Sequence, residues 1–156
     1  MNTELDFFEA EAKENAAFHI ACAETLMREA NTFLNLLLAG AGGALALMVA
    51  LAEKSAPIWQ TFGTATTSVY LFLLAGLLLL KCLRVRPIYP PANEPKNLMQ
   101  EDLSIEQIRK AEMKTRQFCI EANRDRNDEV GLWLNRIRGM TAATPLIFLA
   151  AGAVVY

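Results

Sequence analysis

The one histidine of this 156-residue chain, His19, stands three residues before Cys22. On a helix that spacing sets two metal-ligating side chains one turn apart, and a structural zinc site needs two more. No second His–Cys cluster completes the set, and Cys82 and Cys119 lie at spacings that match no metal motif. The alternatives are a histidine packed at a helix interface or an imidazole that senses pH. A second cluster, NRDRNDE at residues 123–129, mixes acids and bases that can bind a phosphate or nucleotide. Its plainer reading is a solvated, salt-bridged helix face. Arg124, Asp125, Arg126, Asp128 and Glu129 are therefore candidates for a face that meets a cytoplasmic signal or partner. Gly40, Gly42 and Gly43 follow no strand and precede no lysine, which excludes a phosphate-cradling loop. G-x-S-x-G and H-E-x-x-H are also absent. No catalytic residue, cofactor, metal or nucleic-acid partner is expected, and the chain does not read as an enzyme.

What positions these residues is set by how hydrophobicity is distributed. The chain is 53% hydrophobic with net charge −2, and its apolar residues are gathered in blocks. Crossing a bilayer takes roughly 20 mostly apolar residues at ~1.5 Å each. FLNLLLAGAGGALALMVALA, residues 33–52, meets that test; residues 61–80 and 140–156 form two further blocks, the last one short. None of the three contains Asp, Glu, Lys or Arg, so the usual marker of a proton relay is missing. The first thirty residues are acidic, the reverse of a signal peptide's basic start, so the first span is expected to be retained. Lys81, Arg84, Arg86, Lys96, Arg124, Arg126, Arg136 and Arg138 gather on one side of the spans, against Lys54 alone in the first hairpin. By the positive-inside rule the N-terminus and middle segment are cytoplasmic and Tyr156 lies on the far side. The expected location is a bacterial inner membrane, with Lys81, Arg84, Arg86, Arg136 and Arg138 as contacts to lipid phosphates.

The fold class is all-α: an integral membrane protein with three transmembrane helices. Its expected parts are a cytoplasmic helix over 1–32, a transmembrane hairpin over 33–83, a linker and charged helix over 84–139, and a third span over 140–156. Leu5, Phe8, Ala12, Ala16, His19, Ala23, Leu26, Ala30 and Phe33 make one apolar stripe that leads into the first span without Pro or Gly. Glu24 and Arg28 are spaced as an i,i+4 ion pair. Four prolines between Pro87 and Pro95 enforce an extended linker. Ser104 and Gln107 then make a capping box for a helix reaching about Arg138. Its stripe of Ile108, Ala111, Phe118 and Ala122 is interrupted by residues 123–129. Gly139 is expected to separate it from the third span, and Pro145 falls inside that span.

Small residues dominate span one. Ala39–Gly43 and Gly40–Ala44 are small-xxx-small pairs, the pattern that lets helices approach closely where no hydrophobic force drives them together. Asn35 can add a hydrogen bond across helices for ~1 kcal/mol or less. Asn35, Ala39, Gly40, Gly43 and Ala44 are thus candidates for an oligomer interface or pore lining, and a homo-oligomer is expected. AETLMREANTFLNLLLAGAGGALALM, residues 23–48, and KCLRVRPIYPPANEPKN, residues 81–97, resemble the SLATT-type proteins and the transmembrane effectors of Pycsar systems. That resemblance, over about a quarter of the chain, implies an inner-membrane assembly that damages the membrane during anti-phage defence. No nucleotide-sensing domain is recognisable here, so the resemblance implies a trigger from a separate protein or small signalling ligand. The alternatives are a non-conducting anchor that recruits a cytoplasmic partner, and a holin-like phage protein.

Overall fold

The computed structural model describes residues 3–90, 93 and 102–156; Pro91, Pro95 and Lys96 lie outside that set. The described residues form four α-helices and no strand: α1 (Thr3–Glu53), α2 (Ile58–Lys81), α3 (Ile105–Ala142) and α4 (Thr144–Val154). The expected continuity of α1 holds across the polar-to-apolar boundary, and Gly40, Gly42 and Gly43 do not break it. Each glycine costs about 1 kcal/mol in a helix exposed to water. In an apolar run the alternative is an unpaired peptide group, which costs more.

Helix α1 ends in a two-bond C-terminal cap: Ala56 donates its N–H to Leu51 O at 3.0 Å, and Ser55 donates to Ala52 O at 3.2 Å. This geometry requires a left-handed residue, and Ser55 supplies it at φ 51°. Pro57 follows at once and opens α2. At the other end of the linker Ser104 caps α3 as expected: Gln107 N–H donates to the Ser104 hydroxyl at 3.3 Å, and Ser104 N–H donates to Gln107 Oε1 at 2.9 Å.

The chain forms two compact units. The first comprises Met1–Leu26 and Val85–Glu129. Its α1 segment turns Leu5, Glu9, Ala12, Ala16, His19, Ala23 and Leu26 inward, at alternating steps of four and three. That 3.5-residue period is the coiled-coil repeat, and alanines at its centre allow close helix approach. One member of the expected stripe is wrong. Phe8 is 55% exposed, and Glu9 takes its place because the strict seven-residue repeat falls on Glu9. On α3 the buried positions are Cys119, Ile120, Asn123 and Asn127. The stripe expected to be interrupted is therefore continuous, with asparagines filling two of its places.

The second unit comprises Met27–Arg84 and Val130–Tyr156. Its core is Ala30, Leu37 and Ala41 from α1, Leu71, Leu74, Ala75 and Leu78 from α2, and Val130, Leu134 and Ile137 from α3. Helices α2 and α4 cross through a pair of glycines. A Cβ on Gly63 would lie 2.9 Å from Phe148 O, and one on Gly152 would lie 3.2 Å from the Trp59 ring. The Trp59 and Phe148 rings meet edge to face at 6.2 Å. Two hydroxyls tie helices to backbone: Ser68 donates to Ala41 O at 2.8 Å, and Tyr70 donates to Met140 O at 2.9 Å.

Gly139 does not end α3. The helix continues to Ala142, and the axis bends by 45° between α3 and α4. The cause is Pro145, which has no N–H for Thr141 O; the Thr144 hydroxyl donates to that carbonyl instead, at 2.6 Å. Helix α4 has 11 residues, or about 16 Å, too short to cross a bilayer alone. By length and composition α1 and α2 are each able to span a membrane, and the count is three if the bent pair α3–α4 serves as one span.

Candidate functional site

The apolar half of α1 has two faces of different fate. Leu37 and Ala41 are buried and Ala44 half-buried, and this side meets α2, where Ser68 hydrogen-bonds the Ala41 carbonyl. A Cβ on Gly40 would lie 3.2 Å from Leu71 Cδ1, so Gly40 also serves the contact with α2. Ala44 lines an apolar groove of about 440 Å³ with Leu47, Thr67, Pro145 and Phe148. The Thr67 hydroxyl bonds its own helix at Gly63 O, 2.9 Å, leaving carbon toward the groove. Ala44 thus packs within the chain, and Gly40, itself exposed, borders the contact with α2.

Half a helical turn away the surface is open. Asn35, Ala39, Gly42, Gly43 and Ala46 are exposed, and a Cβ on Gly42 or Gly43 would meet nothing within 4 Å. At 3.6 residues per turn, positions 35, 39, 42 and 46 form one line opposite Leu37, Ala41 and Ala44. Exposed Leu36, Leu38, Leu45 and Leu47 flank it. The result is a shallow furrow with a floor of small side chains and one amide at its polar end. Of the five interface candidates, Asn35 and Ala39 lie on this open line and Gly43 is exposed beside it, while Gly40 and Ala44 lie toward α2.

The charged segment 123–129 also divides. Arg124 and Asp125 point outward and approach each other at 3.7 Å, and Asp128 is exposed. Glu129 takes a two-pronged contact from Arg86, through Nη1 and through Nη2 at 3.0 Å. Arg126 turns inward, with its Nε buried. Between them two asparagines act as clamps, which the residue pattern did not single out. Asn123 reads both polar groups of Tyr89: Tyr89 N–H donates to Oδ1 at 3.2 Å, and Nδ2 donates to Tyr89 O at 3.0 Å. The Tyr89 ring also meets Phe118 edge to face at 5.7 Å. Asn127 donates to His19 O at 2.8 Å. The available signal was their i,i+4 spacing on the side of Cys119 and Ile120. His19 sits half-buried on the packed stripe with its ring against Phe18, 5.5 Å between centroids. Cys22, Cys82 and Cys119 are not joined in disulfides, and Cys82 Sγ donates to Val130 O at 3.8 Å.

Arginine–carboxylate pairs complete the first unit. Arg109 donates to Glu9 Oε1 through Nε at 2.6 Å and to Asp6 through Nη2. The hydrogen bond from Arg109 holds the Glu9 carboxyl below its usual 4.5, while the same bond raises the guanidinium. Glu112 and Arg116 pair at 3.4 Å with side chains only 15% and 14% exposed. Arg116 Nη1 also donates to Glu9 O at 3.3 Å.

Of the basic residues expected at lipid phosphates, most have partners within the chain. Lys81 and Arg136 lie over the Trp133 ring, 4.9 and 5.3 Å from its centroid. Arg138 pairs with Glu29, and Arg86 with Glu129. Arg84 alone of the five is exposed with neither an ion pair nor an aromatic ring as partner among the described residues. The expected Glu24–Arg28 pair does not form, and Arg28 is also free of ion pairs among the described residues. No cluster of three or more His, Cys, Asp or Glu suited to a metal ion occurs among the described residues. No protein-family model matches the chain, and no curated protein or solved structure is detectably similar to it.

Proposed function

We propose that this protein is a homo-oligomer of the bacterial inner membrane whose assembly perturbs the bilayer or forms a pore, as an effector of anti-phage defence. The observation that carries this reading is the open furrow of α1. Its intramolecular packing uses the Leu37–Ala41–Ala44 side, and Asn35, Ala39, Gly42, Gly43 and Ala46 stay uncovered on the other. Lipid tails gain little from such a surface, whereas another helix gains close backbone contact and a hydrogen bond to Asn35. A lumen lined by these residues would need no charge and would gate by dewetting. The N-terminus and the charged helix are then cytoplasmic and the third span leads to the far side, in keeping with the positive-inside distribution.

Gly43→Leu is the direct test. Nothing lies within 4 Å of the added Cβ, so the subunit keeps its fold while the furrow is blocked. Light scattering in mild detergent, with the detergent mass subtracted, is expected to give four or more chains for the wild type and fewer for the variant. Dye release from vesicles should fall in parallel. A wild-type monomer or dimer leaves no room for a pore between subunits and ends that reading.

A second reading, a non-conducting anchor for a soluble partner, has its own support. Phe7, Phe8 and Phe18 are all more than half exposed on the polar part of α1. Phe18 lies beside Glu11 and Glu14 at a groove of about 400 Å³. Stable co-purification of one cytoplasmic protein, lost in Phe18→Ser and accompanied by no dye release, would favour this reading.

A further inference from the structure

We propose that a groove at the start of span one binds the phosphate of an anionic phospholipid between Arg28 and Arg138. The inference rests on the membrane placement proposed above and adds to it a lipid class and a place. The groove has a volume of about 250 Å³ and is lined by Arg28, Glu29, Thr32, Phe33, Leu36 and Arg138. That is smaller than the roughly 300–1,000 Å³ of clefts that enclose whole drug-sized ligands, and it suits a headgroup.

The rim carries the charge. Arg138 Nη2 donates to Glu29 Oε2 at 2.8 Å, and its guanidinium carbon lies 5.9 Å from the centre of the Phe33 ring. One of the five guanidinium donors is thereby committed to Glu29, leaving the others for an incoming oxygen. Arg28 has no ion pair among the described residues. Two guanidiniums against one carboxylate leave a positive rim, and the arginine fork matches a phosphate bidentately. The Thr32 hydroxyl, which donates to Arg28 O at 3.0 Å, keeps its lone pairs at the lining.

The floor selects a lipid over a free anion. Phe33 and Leu36 belong to the first turn of the charge-free run, and Leu36 is 63% exposed. An occupant that satisfies both parts carries an anion at one end and hydrocarbon at the other. A zwitterionic headgroup brings its own cation against the two arginines, so an anionic lipid is preferred.

The full-length protein in mild detergent is offered phosphatidylglycerol or phosphatidylcholine with identical acyl chains, and native mass spectrometry counts lipids retained per chain. One phosphatidylglycerol per chain is expected in preference to phosphatidylcholine, and added inorganic phosphate should not displace it. Arg28→Gln should weaken retention about five-fold, the value of one basic residue at a lipid surface. Equal retention of the two lipids, displacement by inorganic phosphate, or an unchanged Arg28→Gln would each overturn the assignment. Carbonate extraction of membranes separates the two possible failures. A chain that is washed out overturns the membrane reading together with this inference; a chain that resists washing yet shows no lipid preference overturns this inference alone.

Discussion

The two units solve helix packing with different materials. In the first, α1 and α3 are joined through polar groups: Asn127 on the His19 carbonyl, Arg109 on Asp6 and Glu9, and Arg116 on the Glu9 carbonyl. In the second, α2 and α4 meet through glycines, and within the apolar blocks the polar ties are single hydroxyls given to carbonyls, with the Arg138–Glu29 pair at their polar edge. Competition from water explains the contrast. Where water competes, apolar burial drives helices together and a charged pair adds specificity; in an apolar surround, contact distance matters most. The first unit should therefore be sensitive to deletion of charge, and the second to addition of volume.

The largest effect is expected from Glu112→Ala. It strands the Arg116 guanidinium, 14% exposed, without its carboxylate, and should cost about 3–5 kcal/mol. The control is Glu106→Ala, which removes an i,i+4 pair to Lys110 whose side chains are mostly exposed. Such an exposed pair, screened by solvent, contributes far less than a buried one. Equal losses in thermal unfolding by circular dichroism would break the claim that burial gives the first unit its polar joints.

Gly63→Leu comes next, with about 3 kcal/mol expected from overpacking against Phe148. Its counterpart is Gly43→Leu, in open space, where subunit stability should not change. If both variants unfold alike, close approach is not what distinguishes the second unit. Asn123→Ala leaves the N–H and C=O of Tyr89 unpaired and should cost about 2 kcal/mol. Faster amide exchange at Tyr89 is the readout.

Acid should sharpen the comparison further. The Glu9 carboxyl titrates below its usual 4.5 in the folded chain because Arg109 hydrogen-bonds it. Its contribution is present in full above that value and is lost as pH falls through the lower folded value. Stability of the wild type should therefore drop below about pH 4.5 more than that of Glu9→Gln, in a titration monitored by circular dichroism. The smallest change is a gain: Ser55→Gly removes a left-handed serine at φ 51° and should stabilise the hairpin by about 1 kcal/mol.

Helix type and the positions of the two long apolar helices were legible because they depend on long runs. The charge-free block at 33–52 and the unbroken stripe before it suffice for α1, and Ser104 with Gln107 marks the start of α3. Choices made between neighbouring positions were less legible. Phe8 is the more apolar residue, yet the seven-residue repeat places Glu9 inward, where Arg109 neutralises it. Asn123 and Asn127 look like part of a solvated run until a partner carbonyl appears. Gly139 looks like a boundary, but a glycine only weakens a helix, whereas Pro145 removes a donor and sets the bend. In and beside the candidate furrow, Ala39 and Gly43 were readable from small-residue spacing and Asn35 from its amide in an apolar run. Which of two small faces α2 would take was not, since Gly40 and Gly43 are chemically alike.

The short helix α4 has a consequence for how the chain is made. It is the last of the four helices to leave the ribosome, and its 11 residues are too few to partition across a bilayer unaided. Its docking place, the Gly63 notch beside Trp59, exists once α2 is in position. On the three-span reading proposed above, biogenesis would be ordered: α2 would act as a template on which the final segment is threaded. Mutations at Gly63 should then appear in the cell as a failure of membrane integration at the C-terminal end, read by glycosylation or cysteine accessibility, while α1 and α2 integrate normally.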